Sequence, residues 1–260
     1  MPMTYIFFPT RTELEPLLGL MEGLSEGRTG LRESFSGILR GRTVKAVVSG
    51  VGQANTAQSI SPVLESGAAS VVIMGGCAGA YAGSGLLVGD VAVATEEVYA
   101  DLGAQTPEGW KSLEELGLPL LEKGERRYYD RFPLDLGAYE GALRAFDLNR
   151  LRPAAQGSGR LPGVHFGPFL TVSVVSGTAK RGDELYARHR ALCENMEGAA
   201  AAQVAVLYGV PFIEVRGISN MVEDRDRGKW DIQTAAYNCA MAISCIINNS
   251  PLLAGEGSKG

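Results

Sequence analysis

The stretch Asn195-Met-Glu-Gly-Ala-Ala-Ala-Ala-Gln-Val-Ala-Val-Leu-Tyr-Gly-Val-Pro211-Phe-Ile-Glu-Val-Arg-Gly-Ile-Ser-Asn220 decides the fold. Residues 198–207 are small or apolar on nearly every side, the composition of a helix buried all round. Gly209 stops that helix, Pro211 blocks its continuation, and Phe212-Ile-Glu-Val-Arg-Gly217 reads as a strand. In open α/β sheets, ligands bind beyond the C-terminal ends of strands. A carboxylate at the helix start, Glu197, and an amide just past the strand, Asn220, can therefore face one crevice. The alternative for Glu197 is a structural ion pair, or an acidic residue favoured by the helix dipole.

The same alternation runs outward in both directions. Six stretches read as strands: Thr4–Phe8, Thr43–Ser49, Ser70–Gly75, Asp90–Glu96, Thr171–Ser176 and Phe212–Gly217. Runs such as Val44-Lys-Ala-Val-Val48 and Val71-Val-Ile-Met74 suit strands covered on both faces. Helical patterns occupy about 13–23, 54–66, 181–192, 197–208 and 230–248, with Pro62 expected to kink or shorten the second. The expectation is a single α/β domain over residues 1–254, its central sheet mixed but mainly parallel and flanked by helices. Residues 103–165, rich in Pro and Gly, break the rhythm as a variable insertion. It is either plain surface or a specificity wall for a pocket. The tail 255–260 has no apolar anchor and is expected to be disordered.

Composition narrows the function. The 260 residues are 45% hydrophobic and 20% charged, ordinary for a globule with a sizeable core, and the net charge of −5 argues against a nucleic-acid partner. No segment reaches the ~18 apolar residues of a membrane span, and the N-terminal apolar run is too short for a signal peptide. Four cysteines without CxxC spacing suit a reducing compartment, so cytoplasmic placement is the default. Two histidines, with no HExxH, make a metal site unexpected. Gly50-Val-Gly52 is half of a dinucleotide fingerprint, but Asn55 stands where the third glycine belongs. A tight strand-to-helix turn is the better reading.

Four segments, in chain order, resemble the nucleoside phosphorylase/nucleosidase superfamily: Ser49-Gly-Val-Gly52; Gly75-Gly-Cys-Ala-Gly79 with Val88-Gly-Asp90; Asn195-Met-Glu-Gly198; and Arg216-Gly-Ile-Ser-Asn220. The run Arg216–Arg227 with Trp230-Asp231 looks most like its futalosine hydrolase branch, which removes hypoxanthine from futalosine. The resemblance implies a nucleoside phosphorylase-like fold and cleavage of an N-glycosidic bond through an oxocarbenium-like transition state. It also implies homo-oligomers and no cofactor.

Residue by residue, the resemblance makes Glu197 the carboxylate that grips a ribose hydroxyl and Met196 the apolar group on the sugar face. A buried anion beside a developing cation acts mainly in the transition state. Thr12-Glu-Leu-Glu-Pro16 offers two water-activating carboxylates; register favours Glu15, with Glu13 as the fallback. Cys77, Ala78 and Gly79 match the loop lining the ribose, Cys77 as a packing residue rather than a nucleophile. Arg216 matches an arginine near the carboxylates, or else forms a structural salt bridge. Ser219 orients residue 220 or is a plain turn residue. Lys180 and Arg181 fall near the purine-side loop but read better as solvated helix-start residues.

Asn220 departs from the adenine-cleaving nucleosidases, which carry Asp there. An amide donates to N7 or to a 6-oxo group but meets a 6-amino group donor to donor, at a cost of ~1–3 kcal/mol. A 6-oxopurine nucleoside is therefore the expected substrate. Arg11 lies where a phosphorylase would cradle phosphate, yet Glu13 and Glu15 beside it favour water over phosphate. Alternatives are a phosphate-dependent phosphorylase, a methylthioadenosine/S-adenosylhomocysteine nucleosidase, and a non-catalytic nucleoside-binding module.

Overall fold

The buried helix and its strand lie at the centre of the computed structural model, which describes residues 3–155 and 160–249. In chain order the elements are β1 (Met3–Phe8), α1 (Arg11–Leu18), β2 (Glu22–Thr29), β3 (Arg32–Leu39), β4 (Arg42–Val48), α2 (Gln53–Glu65) and β5 (Ala69–Tyr81). Then come β6 (Val91–Tyr99), β7 (Gly103–Thr106), β8 (Gly109–Ser112), α3 (Leu113–Leu116), β9 (Leu121–Lys123), β10 (Arg126–Tyr128), β11 (Arg131–Pro133) and α4 (Gly137–Arg144). The rest are β12 (Val164–Thr171), α5 (Ala179–His189), β13 (Cys193–Asn195), α6 (Gly198–Tyr208), β14 (Phe212–Val222) and α7 (Ile232–Asn249).

β14 pairs in parallel with β5 and antiparallel with β6. Because β6, β12, β13 and β5 also pair in sequence, those four strands and β14 close a ring. β1, β4, β3 and β2 extend the sheet from β5, and β11 pairs β6 outside the ring. The sheet is mixed rather than mainly parallel. Parallel ladders join β1 to β4 and β5, β12 to β6 and β13, and β14 to β5, but antiparallel ladders close the ring and build the β2–β3–β4 edge.

Two apolar layers cover the sheet. α1, α4 and α7 cover one face with Leu14, Leu17, Leu143, Ile243 and Ile246, against Ile6, Ile73, Ile213 and Val215. α2 and α6 cover the other with Ile60, Val63 and Ala199–Ala202, against Phe7, Val72 and Phe212. Pro62 lies within α2 without ending it. The alanines let α6 approach the strands, since Cβ is the whole of each side chain.

Three stretches differ from their sequence reading. The pattern at 13–23 ends as helix at Leu18, and Glu22–Thr29 becomes a mostly exposed strand. The strand expected at Thr171–Ser176 lies earlier, as β12, with a bulge at Gly167/Pro168 where proline cannot donate to the ladder. The insertion folds into two small hairpins, α3 and α4, and Leu136, Tyr139, Leu143 and Phe146 join the core. The tail 255–260 lies outside the described residues. No described helix is long and apolar enough to cross a membrane.

Candidate active site

The ends of β1, β5, β13 and β14 and the start of α6 surround one open cavity of about 400 Å³. Glu13, Cys77, Ala78, Gly79, Met196, Glu197, Ser219 and Asn220 all line it. Arg216 lies behind the wall, and among the described residues none of 103–165 lines the cavity.

The helix α1 decides which carboxylate reaches the cavity. It begins at Arg11, with Thr10 as its N-cap, and places Glu13 inward. Thr10 Oγ1 donates to Glu13 Oε2 (2.6 Å), and the Cys77 N–H donates to Glu13 Oε1 (2.8 Å). Two residues along a helix is a rotation of about 200°, so Glu15 points away. It is exposed and paired with Arg11 (2.8 Å), remote from the cavity. The register placing Glu15 at the site thus gives way to Glu13.

Glu197 is buried. Its Oε1 accepts the Gly52 N–H (2.9 Å), and its Oε2 meets Arg216 Nη2 (3.2 Å). The Gly50-Val-Gly52 turn therefore presents a backbone donor to a carboxylate. Asn195 Oδ1 accepts the N–H groups of Glu197 (2.8 Å) and Gly198 (2.7 Å), and Thr171 Oγ1 accepts that of Ala199 (2.7 Å). These caps satisfy the first turn of α6, so Glu197 need not cap its own helix.

Arg216 is fully buried, with Nε on Glu214 Oε1 (2.7 Å) and Nη1 near the Cys77 carbonyl (3.4 Å). Burial opposes its charge, but Glu214, Glu197 and Glu13 together hold the guanidinium above its usual pKa. Gly76 makes room for it: a Cβ there would strike Arg216 Nη1. Burial first, and then the Glu13 carboxylate, push the Cys77 thiol well above its ordinary pKa. A thiol so raised stays neutral, which suits a packing residue.

On the purine side, β14 pairs Ile218 with Ala78 but Asn220 with Gly79, so Ser219 is the extra residue of a bulge. The bulge lets two consecutive residues line the cavity. Ser219 Oγ donates to Asn220 Oδ1 (2.8 Å), and Asn220 Nδ2 donates to the Met221 carbonyl (3.0 Å). With its oxygen holding the Ser219 hydroxyl and one hydrogen on Met221, the amide of this cavity-lining residue keeps a second N–H. The 175–176 loop is fixed by Glu194, which accepts the Ser176 N–H (2.7 Å), the Ser176 hydroxyl (2.7 Å) and the Tyr81 hydroxyl (2.9 Å). Lys180 and Arg181 lie outside the cavity. Asp90 is structural, binding the N–H groups of Leu87 and Gly163 (2.8 Å each).

A family model for the phosphorylase superfamily matches residues 5–248. The chain belongs to this superfamily. Among curated members it is 35% identical to futalosine hydrolase of Thermus thermophilus, over 84% of this chain and 85% of that one. It is 34% identical to futalosine hydrolase of Streptomyces coelicolor, over 73% and 72%. It is also 26% identical to the 5'-methylthioadenosine/S-adenosylhomocysteine nucleosidase of Mycobacterium tuberculosis, over 72% of both. Among solved structures, the Neisseria meningitidis 5'-methylthioadenosine/S-adenosylhomocysteine nucleosidase with methylthio-immucillin-A shares the fold, superposing with a TM-score of 0.76 at 23% identity and covering 95% of this chain and 99% of that one.

Several members of the site escaped sequence reasoning. Thr10 and Glu194 act through hydrogen bonds that no residue pattern announces, and Gly52, noticed as part of a turn, also donates its N–H to Glu197. Trp230 and Ile232 line the cavity from the start of α7, and Arg225 stacks on Trp230 (4.6 Å). Glu214 carried a signal: it is a carboxylate within the apolar run Phe212–Val215, and it shares a strand face with Arg216 by simple alternation.

Proposed function

We propose that this chain hydrolyses the N-glycosidic bond of a 6-oxopurine nucleoside, futalosine in the first instance, releasing hypoxanthine and leaving dehypoxanthine futalosine for menaquinone biosynthesis. The observation that carries the reading is the convergence of Glu13, Glu197 and Asn220 on one cavity, the last with its amide oxygen already occupied. The two futalosine hydrolases at 34–35% identity support the choice of substrate.

In this reading Glu13 accepts a proton from water as its oxygen attacks C1′. The C1′–N9 bond breaks, its electron pair leaving with the purine. Glu197 holds a ribose hydroxyl and opposes the positive charge that develops on the sugar. The second Nδ2–H of Asn220 donates to N7 or O6 of the departing base. An amide transfers no proton at ordinary pH, so the proton that neutralises the base arrives through water.

Hydrolysis is favoured over phosphorolysis because Arg11 is already engaged. It binds Glu15 and Glu33 (2.7 Å) and lies over the Phe35 ring (4.3 Å). We also read the chain as a homo-oligomer, since exposed Val51 and Val175 at the cavity leave apolar surface for a second copy to cover. Four unpaired cysteines support a cytoplasmic setting.

The test is turnover of futalosine, inosine and methylthioadenosine with and without phosphate. Phosphate-independent release of hypoxanthine and free sugar is expected. Strict phosphate dependence, or preference for methylthioadenosine, would overturn the reading. Asn220→Asp should shift the 6-oxo to 6-amino preference by about tenfold or more, the worth of one mismatched buried donor.

A further inference from the structure

From the cavity wall inward, four ionisable groups lie within one continuous chain of contacts: Glu197 at the start of α6, Arg216 and Glu214 on β14, and Glu97 on β6. Glu97, Glu214 and Arg216 are fully buried. Three of the four are carboxylates and one is a cation, an imbalance that a dry interior does not tolerate.

The partners show where the imbalance falls. Glu197 and Glu214 each touch the guanidinium. Glu97 does not; its Oε2 accepts from Thr171 Oγ1 (3.0 Å). That leaves one oxygen on each buried acid, Glu97 Oε1 and Glu214 Oε2, that meets no N–H or O–H of any other residue. The two carboxyls lie within hydrogen-bonding reach of each other. They meet beneath Gly198, where an added Cβ would collide with both. A single proton shared by the two carboxyls turns their facing lone pairs into a hydrogen bond and removes one negative charge.

We propose that Glu97 carries this proton and donates it to Glu214, and that the pair acts as a positioning device, holding Arg216 by Nε so that Nη2 fixes Glu197. The Glu97 end is the donor because Glu214 is in direct contact with Arg216, whereas Glu97 feels that cation only from a distance and faces Tyr99 on its own strand, Thr171 from β12, Cys193 from β13 and Glu214 from β14. Burial first, and then Glu214, raise the Glu97 pKa well above the carboxylate range, which agrees with the geometry. The glycine at 198 follows from the same arrangement, since it lets the first turn of α6 lie against the pair. The effect on turnover rests on the role of Glu197 given under Proposed function; the shared proton does not.

The test has one arm without substrate and one with it. In infrared difference spectra of the intact protein well above the normal carboxylate titration range, a protonated carboxylic acid band is expected, lost in Glu97→Gln. Absence of the band, or its survival in Glu97→Gln, would overturn the proposal even if a variant of Glu214 failed to fold. In the kinetic arm, Glu97→Ala is expected to lower kcat, and Glu97→Gln, which still donates, to restore it. Glu214→Gln loses the anion on Arg216 and is expected to lower kcat by about a hundredfold with KM little changed, the scale of a small misplacement of a catalytic group. Equal losses for Glu97→Gln and Glu214→Gln would mean the pair merely fills space. If wild-type protein turns over no purine nucleoside while the band behaves as described, the proposed function fails and the shared proton stands.

Discussion

Two arginines in this protein each bridge two glutamates, and they do opposite things. Arg216, with Glu214 and Glu197, is fully buried behind the cavity, while Arg11, with Glu15 and Glu33, is 44% exposed on the outer face of α1. The bond lengths are alike: 2.7 and 3.2 Å inside, 2.8 and 2.7 Å outside. What separates the clusters is solvent. Water screens the outer charges and competes for them, so removing one partner leaves the others hydrated. Inside, each charge depends on its partners alone, which makes the arrangement rigid and its disruption costly. Glu13 and Glu15 sit two residues apart and fall on opposite sides of that boundary.

The largest test of this contrast is Glu13→Gln against Glu15→Gln. Loss of a general base costs ~10²–10⁴ in rate, so kcat/KM for futalosine should fall by that range for Glu13 and stay unchanged for Glu15. The reverse pattern would return the base to the outer face. Next, Arg216→Leu should cost about 3–5 kcal/mol in urea unfolding, because Glu197 and Glu214 are left buried without a counter-ion. A loss below ~1 kcal/mol would put it on a par with a surface pair.

An intermediate case sharpens the comparison. His189 is half-buried near Arg131 (3.4 Å), and burial first, then Arg131, lower its pKa from 6.5 to about 4. The unfolded chain binds the proton more readily, so this stability is complete above pH 6.5 and is lost as pH falls towards 4. Relative to His189→Gln, wild type should lose roughly 2 kcal/mol across that window, after discounting for partial exposure. Matching Tm-against-pH curves would show that solvent reaches the ring freely. The smallest effect belongs to Arg11→Ala, ~1 kcal/mol or less, and it should shrink further in high salt.

How much of this was legible depended on which forces leave a local trace. Continuous β-branched runs announced β4 and β5, short apolar stretches announced β1 and β6, and the Gly209–Pro211 punctuation announced the α6–β14 junction. β12 stayed hidden because Gly167 and Pro168 interrupt its pattern, a gap its bulge absorbs. Ring closure stayed hidden because Val215–Gly217 of β14 pair with Val91–Val93 of β6, far away in sequence, and such a pairing has no periodicity of its own. At the site, Glu197 and Asn220 stood out as polar groups at element ends. Choosing Glu13 over Glu15 required the rotation of a helix whose start the sequence placed two residues late.

The bulge at Ser219 has an evolutionary consequence. Residue 220 is held by backbone pairing with Gly79, not by its own side chain, so the ladder is indifferent to what that side chain is. The base-reading group is thus a replaceable tip on a fixed mount. One substitution there can retune which purine is accepted, whereas deleting a single residue from the bulge would turn Asn220, Met221 and Val222 to the opposite sides of the strand and erase the reader altogether.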